Sequence, residues 1–423
     1  MPSGQSIRIA IIGGGLGGLA LARALIRNPK LDVHVYEANA TFSERGASIG
    51  LANNAQRALA KVDPDDPELL QRAGAVVQES MRMVMGSGPQ AGTVVSDLHT
   101  APQDAGKLPR VSLHRGSLLR ELHAQLPEER LASLRVLSDP KAVEITFEDG
   151  ESTICDAVIG ADGIWGTVRQ YVPGDGAEEH APTNAGWWDC RNLVPFGKAR
   201  EILGDRLLQL DRAVGWAGEG AFIMHVALEN RKLVMFVVSG LEMNPPQDSR
   251  SRPLTREVLT DAFGAWMDGP IAKGVIDLIM DQPDAQLQRY SMYEHKSTPT
   301  YAKGPVCIVG DAAHAATPWQ ASGGGQAFED AMNLGALLGS ISSADQVPTA
   351  FQIYDEVRRP RAQKVIDSSR ASGLMLCGAD QTVGLDTEKI RAELKERAAI
   401  IEGVNIVRYK EEAVERLVNV LGY

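Results

Sequence analysis

At 423 residues, 44% hydrophobic and 23% charged, the chain has enough apolar material for two or three packed units and the composition of a globular enzyme. Its formal net charge of −11 argues against nucleic acid or an anionic membrane surface as the main partner. The four cysteines are scattered without a C-x-x-C pair, which speaks against a disulfide framework or a bound metal, and no run of about 20 apolar residues is present to span a membrane. Six residues precede the first strand, too few for a cleavable leader, so the expectation is a cytoplasmic protein.

Ile7 to Ile12 is a β-branched run, followed by Gly13-Gly14-Gly15-Leu16-Gly17-Gly18, a helical stretch from Leu19 to Ile26, and an apolar alternation through Val33 and Val35 that ends at Glu37. Strand, glycine turn, helix, strand and acid in this order form a dinucleotide-binding fingerprint. Gly13 permits the tight turn, Gly15 lets a pyrophosphate reach the backbone, and Gly18 lets helix and strand pack closely. With Leu16 they open a helix whose free N–H groups and positive dipole end suit phosphate. Glu37 is placed to accept from a ribose 2′-OH, which disfavours a 2′-phosphate.

Arg45 and Ala47 follow the second strand, and Asn53 and Asn54 open a helix. Arg45 reads equally as a phosphate contact or a solvated arginine. Met81 to Val95 reads as strands, and Val111 to Arg115 leads into a helix whose apolar side includes Leu118, Leu119 and Leu122. Arg115, at the opening of that helix, either holds cofactor or is an ordinary first-turn residue. Val143 to Phe147 and Ser152 to Ile154 flank Glu148-Asp149-Gly150, a hairpin signal, and a buried strand then ends in Gly160-Ala161-Asp162-Gly163. From Trp187 to Val238 the pattern is strands, then a polar loop to Pro253 and a helical stretch from Thr255 to Met280. Pro305 to Asp311 is another short buried strand ending in an acid. His314, Pro318 and Gly323-Gly324-Gly325 follow, then a helix from about Gln326 to Leu338 and a helical tail from Gln352. No repeat appears, and no second glycine fingerprint, so a nicotinamide nucleotide would have no domain of its own.

Taken together, three of these motifs, separated in sequence and constant in order, resemble the single-component FAD-dependent aromatic hydroxylases related to p-hydroxybenzoate hydroxylase, most closely the salicylate hydroxylase-like branch. The resemblance spans Ile7 to about Arg361. It implies an α/β fold: a Rossmann-like FAD-binding domain of the glutathione-reductase type (residues 1–75, 102–175 and 285–365), an inserted β-sheet substrate domain (76–101 and 176–284) and a helical C-terminal tail (366–423). It places the FAD diphosphate and adenosine ribose on Gly13, Gly15, Gly18 and Glu37, and links Asp156, Gly160, Asp162, Gly163 and Arg169 to FAD and to a passing NADH or NADPH. Asp311 falls on the ribityl chain, Gly323, Gly324 and Gly325 under the isoalloxazine, and Arg45 and Arg115 among the FAD-contacting arginines. Departures are Gly166 where the family usually has serine, Ala321 where a glycine is common, and His225-Val226 where relatives often have tyrosine-proline.

The activity implied is hydroxylation of a small aromatic acid or phenol by O₂ and NAD(P)H through a flavin C4a-hydroperoxide, in a monomer or homodimer with no nucleic-acid partner. The competing expectations are hydroxylation or epoxidation of a larger natural product on the same scaffold, and a non-catalytic binding protein of the same fold. Pro318 is expected near the oxygen-reacting face. His225 is either a proton relay for a phenol or a satisfied histidine packed in a sheet. Arg191 either anchors a carboxylate or phenolate or forms an interstrand ion pair.

Overall fold

The computed structural model describes residues 6–38, 48–78, 80–99, 108–124, 126, 131–132, 143–146, 152–174, 176–208, 212–228, 232–246, 249–283 and 287–423. A six-stranded sheet runs in the order Ala302–Lys303, Val306–Ile308, Ala157–Gly160, Ile7–Ile12, Leu31–Tyr36 and Leu131–Ala132, all parallel except the first pair. Its central strands are almost wholly buried, as parallel strands covered on both faces must be. The pairing also aligns their C-terminal ends: Ile12 lies beside Gly160, and Gly160 beside Ile308. The glycine turn, Asp162 and Asp311 therefore leave the sheet side by side. The helices Leu16–Leu25 and Gly323–Gly339 pack closely, since a Cβ on Gly335 would sit 2.8 Å from that of Ala24.

A second sheet of eight strands runs in the order Ser251–Pro253, Gln288–Glu294, Thr183–Pro195, Leu233–Leu241, Ala221–Leu228, Arg212–Gly218, Ser80–Met85 and Val94–His99. Gln288–Glu294 belongs here and not with the nucleotide-binding half, where the sequence boundary at 285 had put it. The long strand Thr183–Pro195 offers a free edge, and Gln288–Glu294 pairs along it. One face of this sheet, with Trp188, Cys190, Trp216, Ile223 and Phe236, is covered by the helices Phe196–Leu203, Arg256–Ala262 and Ala272–Met280. The other face carries Met83, Met85, Trp187, Phe222 and Met292 and packs on the end of the helix Val347–Leu376.

The helical stretch expected over Thr255 to Met280 is two helices, Arg256–Ala262 and Ala272–Met280, separated by a tight turn at Gly264–Trp266 and by Gly269-Pro270. The tail is three helices, Val347–Leu376, Thr387–Glu402 and Ile406–Leu421. The last two are capped by Asp386, which accepts from the Glu388 and Lys389 N–H groups, and by Asn405, which accepts from Arg408.

Candidate active site

Gly13 has φ +108°, and a Cβ there would lie 2.3 Å from the Ala161 carbonyl oxygen. A Cβ on Gly18 would lie 2.0 Å from the Gly13 carbonyl oxygen. Neither position accepts a side chain, so the turn is held tightly between its strand and helix. Gly15 is different: nothing approaches its Cβ position within 4 Å, so backbone is open there to a ligand. Gly15 caps the helix Leu16–Leu25 without a side-chain hydrogen bond, and no acid occupies its first turn. The N–H groups and positive dipole end are thus left for an anion. Leu16 turns its side chain into the core and offers only backbone. Glu37 Oε2 accepts the Gly14 N–H at 2.8 Å, which fixes the carboxylate beside the turn.

The second motif is just as crowded. Asp162 Oδ2 accepts the Val168 N–H at 3.0 Å, whereas Oδ1 is buried with no partner among the described residues. Burial raises the carboxyl pKa, more than the surrounding hydrogen bonds lower it. A Cβ on Gly166 would sit 2.1 Å from Asp162 Oδ1, so glycine replaces the family serine because the Asp162 carboxylate folds over it. Arg169 is buried and does not reach toward the cleft. It donates to the Ala312 and Ala313 carbonyls at 2.9 and 3.1 Å and to Thr298 Oγ1 at 2.7 Å, tying down the segment after Asp311. Burial lowers its pKa to about 10.

Asp311 is exposed, and a Cβ on Gly323 would lie 3.9 Å from its Oδ1. The acid and the uncapped N-terminus of the helix Gly323–Gly339 are therefore neighbours. Gly324 and Gly325 have no room for side chains against Ile49 and Ala55, at 2.5 and 3.0 Å. Ala321, before this helix, is the one non-glycine residue with positive φ among the described residues, at +48°. It keeps the left-handed conformation of the glycine it replaces.

Beneath this turn lies a buried charge network that the sequence reading missed. Asp330 Oδ2 accepts the Gly310 N–H at 2.8 Å and contacts His314 Nε2 at 2.6 Å, and its Oδ1 accepts Arg358 Nε at 2.7 Å. Glu329 accepts from Arg358 Nη1 at 2.7 Å, from Arg361 Nε and Nη2 at 2.7 and 2.8 Å, and from Asn54 Nδ2 at 2.7 Å. Burial pushes both carboxyl pKa values up, but the opposing charges win: Asp330 falls to about 2 against His314 and Arg358, and Glu329 is lowered by Arg358 and Arg361. Glu329-Asp330 inside the apolar run Ala327 to Leu334 was the available signal, because adjacent acids on a buried helix need cations. His314 thus pairs with Asp330, not Asp311.

Arg45 and Ala47 lie outside the described residues. Arg115 opens the helix Arg115–Ala124, directly after His114, which pairs with Ser48. Pro318 is exposed at the start of the turn Pro318–Gln320. Its neighbour Trp319 meets Trp187 and Phe222 edge-on, with centroids 5.6 and 5.5 Å apart. Trp187, Phe222, Met224, Met235, Met83 and Met85 share one sheet face by register, and Ser48 Oγ contacts Met235 Sδ at 3.6 Å. This is the face that looks toward the cofactor-binding half. Arg191 lies on it, with its Nε 2.9 Å from Asp189 Oδ2 and its side chain 42% exposed. Trp188, one residue from Trp187, points the other way.

His225 is on the opposite, helix-covered face, so of its two readings the packed sheet histidine holds and the proton relay does not. Sheet register pairs it with Val214 and Phe236, and it is 1% exposed. Its Nε2 accepts the Trp216 indole N–H at 3.1 Å, and burial lowers its pKa to about 4. A neutral histidine satisfied inside a core has no route to substrate.

Residues 6–369 match the family described as FAD binding domain. The chain is 31% identical over 442 residues to 6-methylsalicylate 1-monooxygenase of Aspergillus terreus, covering 100% of this chain and 94% of that protein. It is 28% identical over 409 residues to salicylate hydroxylase of Pseudomonas putida, covering 91% and 89% respectively. A solved salicylate hydroxylase substrate complex superposes with a TM-score of 0.83 at 25% identity, covering 97% of this chain and 99% of that one. With glycines cleared for a diphosphate, uncapped helix ends and Asp311 converging on one edge of the sheet, the site fits FAD, and the chain belongs to the FAD binding domain family as an FAD-dependent monooxygenase of the aromatic hydroxylase type.

Proposed function

We propose that the chain uses NADH or NADPH and O₂ to hydroxylate a small aromatic acid or phenol of the salicylate kind, in the cytoplasm. One observation carries the substrate class. On the sheet face toward the cofactor half, Met224 and Val237 are half-buried in register with Arg191, beside a packed cluster of Trp187, Phe222 and methionines that Trp319, next to Pro318, closes. Aromatic edges and polarisable thioethers suit a flat, electron-rich ring with an apolar substituent. Arg191, at the exposed end of that face, is the group that meets a carboxylate or phenolate. Four buried, unpaired cysteines suit a reducing compartment.

Bound FAD supplies the redox chemistry that activates O₂. Gly15 and the helix beginning at Leu16 would hold the diphosphate, and Asp311 would accept from a hydroxyl of the ribityl chain. The N-terminus of the helix Gly323–Gly339 offers N–H groups to negative charge on the ring. The apolar sheet face would help exclude water once FAD and substrate are bound. With His225 on the far face, ring activation relies on the substrate's own hydroxyl. The test is NAD(P)H oxidation and product formation across salicylate, alkylsalicylates and simple phenols. Faster oxidation with hydroxylated product is expected for the salicylates. If none of the panel speeds oxidation or yields product, the substrate class is wrong.

A further inference from the structure

The helix Val347–Leu376 contains one glycine, Gly373, which is buried and still inside the helical hydrogen bonding, its carbonyl accepting the Cys377 N–H at 3.0 Å. Its φ is not positive, so the backbone does not call for glycine, and alanine would be the better helix former. The use of Gly373 is the space it leaves. A Cβ there would lie 2.3 Å from Trp319 Nε1 and 2.6 Å from Trp319 Cε2. The indole is therefore pressed against the helix backbone, while Trp187 and Phe222 meet it edge-on, with centroids 5.6 and 5.5 Å away. Trp319 Nε1 is buried with no partner among the described residues, so fit and not a hydrogen bond holds the ring.

The residues flanking Trp319 are tied to the same helix and to the next one. Thr317 Oγ1 donates to Ser369 Oγ at 3.2 Å, and Ser369 Oγ donates to the Thr317 carbonyl at 2.5 Å. Gln320 Nε2 donates to the Arg397 carbonyl at 3.3 Å, and Arg397 Nη1 donates to the Ser368 carbonyl at 3.2 Å. Pro318 has no N–H of its own, so the turn Pro318–Gln320 depends on these neighbours for its place. That turn links two cofactor-facing ends. Asp311 opens the short helix before it, and after Ala321, at φ +48°, comes the uncapped N-terminus at Gly323. Gly373 and Arg397 both lie beyond the matched family region, which ends at residue 369.

We propose that Gly373 is a positioning residue for the cofactor. The notch it leaves seats Trp319, and the seated ring fixes the turn Pro318–Gln320 and with it the helix N-terminus at Gly323. The inference rests on the reading above that this helix offers its N–H groups to the flavin ring. A methyl group at position 373 has to displace the indole. The ring is rigid and already backed by Trp187 and Phe222, so its turn moves with it.

Gly373→Ala, Trp319→Leu and the double variant of the FAD-loaded enzyme test this. With Trp319 present, Gly373→Ala should lower Tm despite its better helix propensity. With Trp319→Leu the indole is gone, and the same change should raise Tm. The midpoint potential of bound FAD, read by dye equilibration, is the second measurement. In Gly373→Ala the reduced, more negative ring should lose about fivefold in binding relative to the oxidised ring, the size of one helix-end interaction. That is a fall of about 20 mV for a two-electron couple. In the Trp319→Leu background Gly373→Ala should not move the potential.

A Tm change of the same sign in both backgrounds overturns the notch. A sign reversal with an unmoved potential leaves Gly373 a packing residue and overturns its positioning role. If Gly373→Ala alone does not fold while the double variant does, the reversal stands in its extreme form. Ser369→Ala, which releases Thr317 without touching the indole, then carries the potential measurement, with a fall expected and no change overturning the proposal. A starting protein that cannot be loaded with FAD would instead sink the flavin reading, and the Tm comparison without cofactor would still decide the notch.

Discussion

The buried network under the glycine-rich turn makes the sharpest stability prediction. Asp330→Asn keeps the side-chain shape but removes the charge facing Arg358 and His314. Deleting one member of a buried ion pair costs about 3–5 kcal/mol. Arg358 retains Glu329 at 2.7 Å, so the lower end, about 3 kcal/mol, applies. Total stabilities lie near 5–15 kcal/mol, and in a chain of this length the loss should appear as a fall of roughly 3 °C in Tm. The Gly310 N–H donates to the same carboxylate, so the turn carrying Asp311 loosens and FAD affinity falls as well. Urea unfolding of the FAD-loaded and FAD-free protein, with flavin fluorescence for affinity, measures both effects. The Asp330 pKa is depressed to about 2, so its contribution is complete above the unfolded value near 3.9 and lost only as pH falls through 2. The penalty should therefore be constant from pH 5 to 8. A loss below about 1 kcal/mol with unchanged FAD affinity would refute the assignment of this network as the support of the cofactor turn.

Other consequences are simpler to state. His225 and His295 are buried neutral, with pKa values lowered by burial to about 4 and about 3. Stability should thus be full above pH 6.5 and fall below it, at up to about 1.4 kcal/mol per pH unit for each histidine, as the unfolded chain takes up protons that the folded one refuses. His225→Phe should remove one histidine's share of that slope and cost about 1–3 kcal/mol by orphaning the Trp216 N–H, while the pH profile of hydroxylation stays put. A shifted profile would return His225 to the mechanism. Ala321→Gly relieves a left-handed residue and should stabilise the protein by about 0.5–1 kcal/mol, read as a higher Tm. Gly18→Ala forces a Cβ to within 2.0 Å of the Gly13 carbonyl oxygen, and the purified variant should be colourless where the parent is yellow.

The cofactor half was legible because a dinucleotide is bound largely by backbone, and close backbone approach demands glycine. Gly13 and Gly18 are required by contacts of 2.3 and 2.0 Å, and such constraints leave a mark that a single sequence shows. Asp162 and Asp311 were legible for a related reason: each ends a short buried strand, where an acid has no packing role. The supports of these residues were harder to see. Arg358 lies 28 residues from Asp330, with a helix end and a turn between, and nothing local to either announces the pair.

The faces of the eight-stranded sheet were illegible for a different reason, which also explains why His225 stayed open between two readings. Alternation reveals which way a strand residue points only when one face is wet. Around Phe222 to Val226 the eight-stranded sheet is dry on both: helices cover one face, and the cofactor half with the helix Val347–Leu376 covers the other. Phe222-Ile223-Met224-His225-Val226 is accordingly apolar or aromatic at every position, and the period-two signal is erased. Choosing a face then requires the register. Met224 pairs with Gly215 and Val237, and Phe222, two residues away on its face, meets Trp319, so the even-numbered residues face the cofactor. His225, odd-numbered, is turned toward Trp216 and Phe236. One residue of register separates Met224, on the face toward the cofactor half, from His225, packed under the helices. On the proposed function, the half-buried Met224 on that face and the exposed Arg191 beside it, and not His225, would be the residues to meet the substrate's ring and its charge.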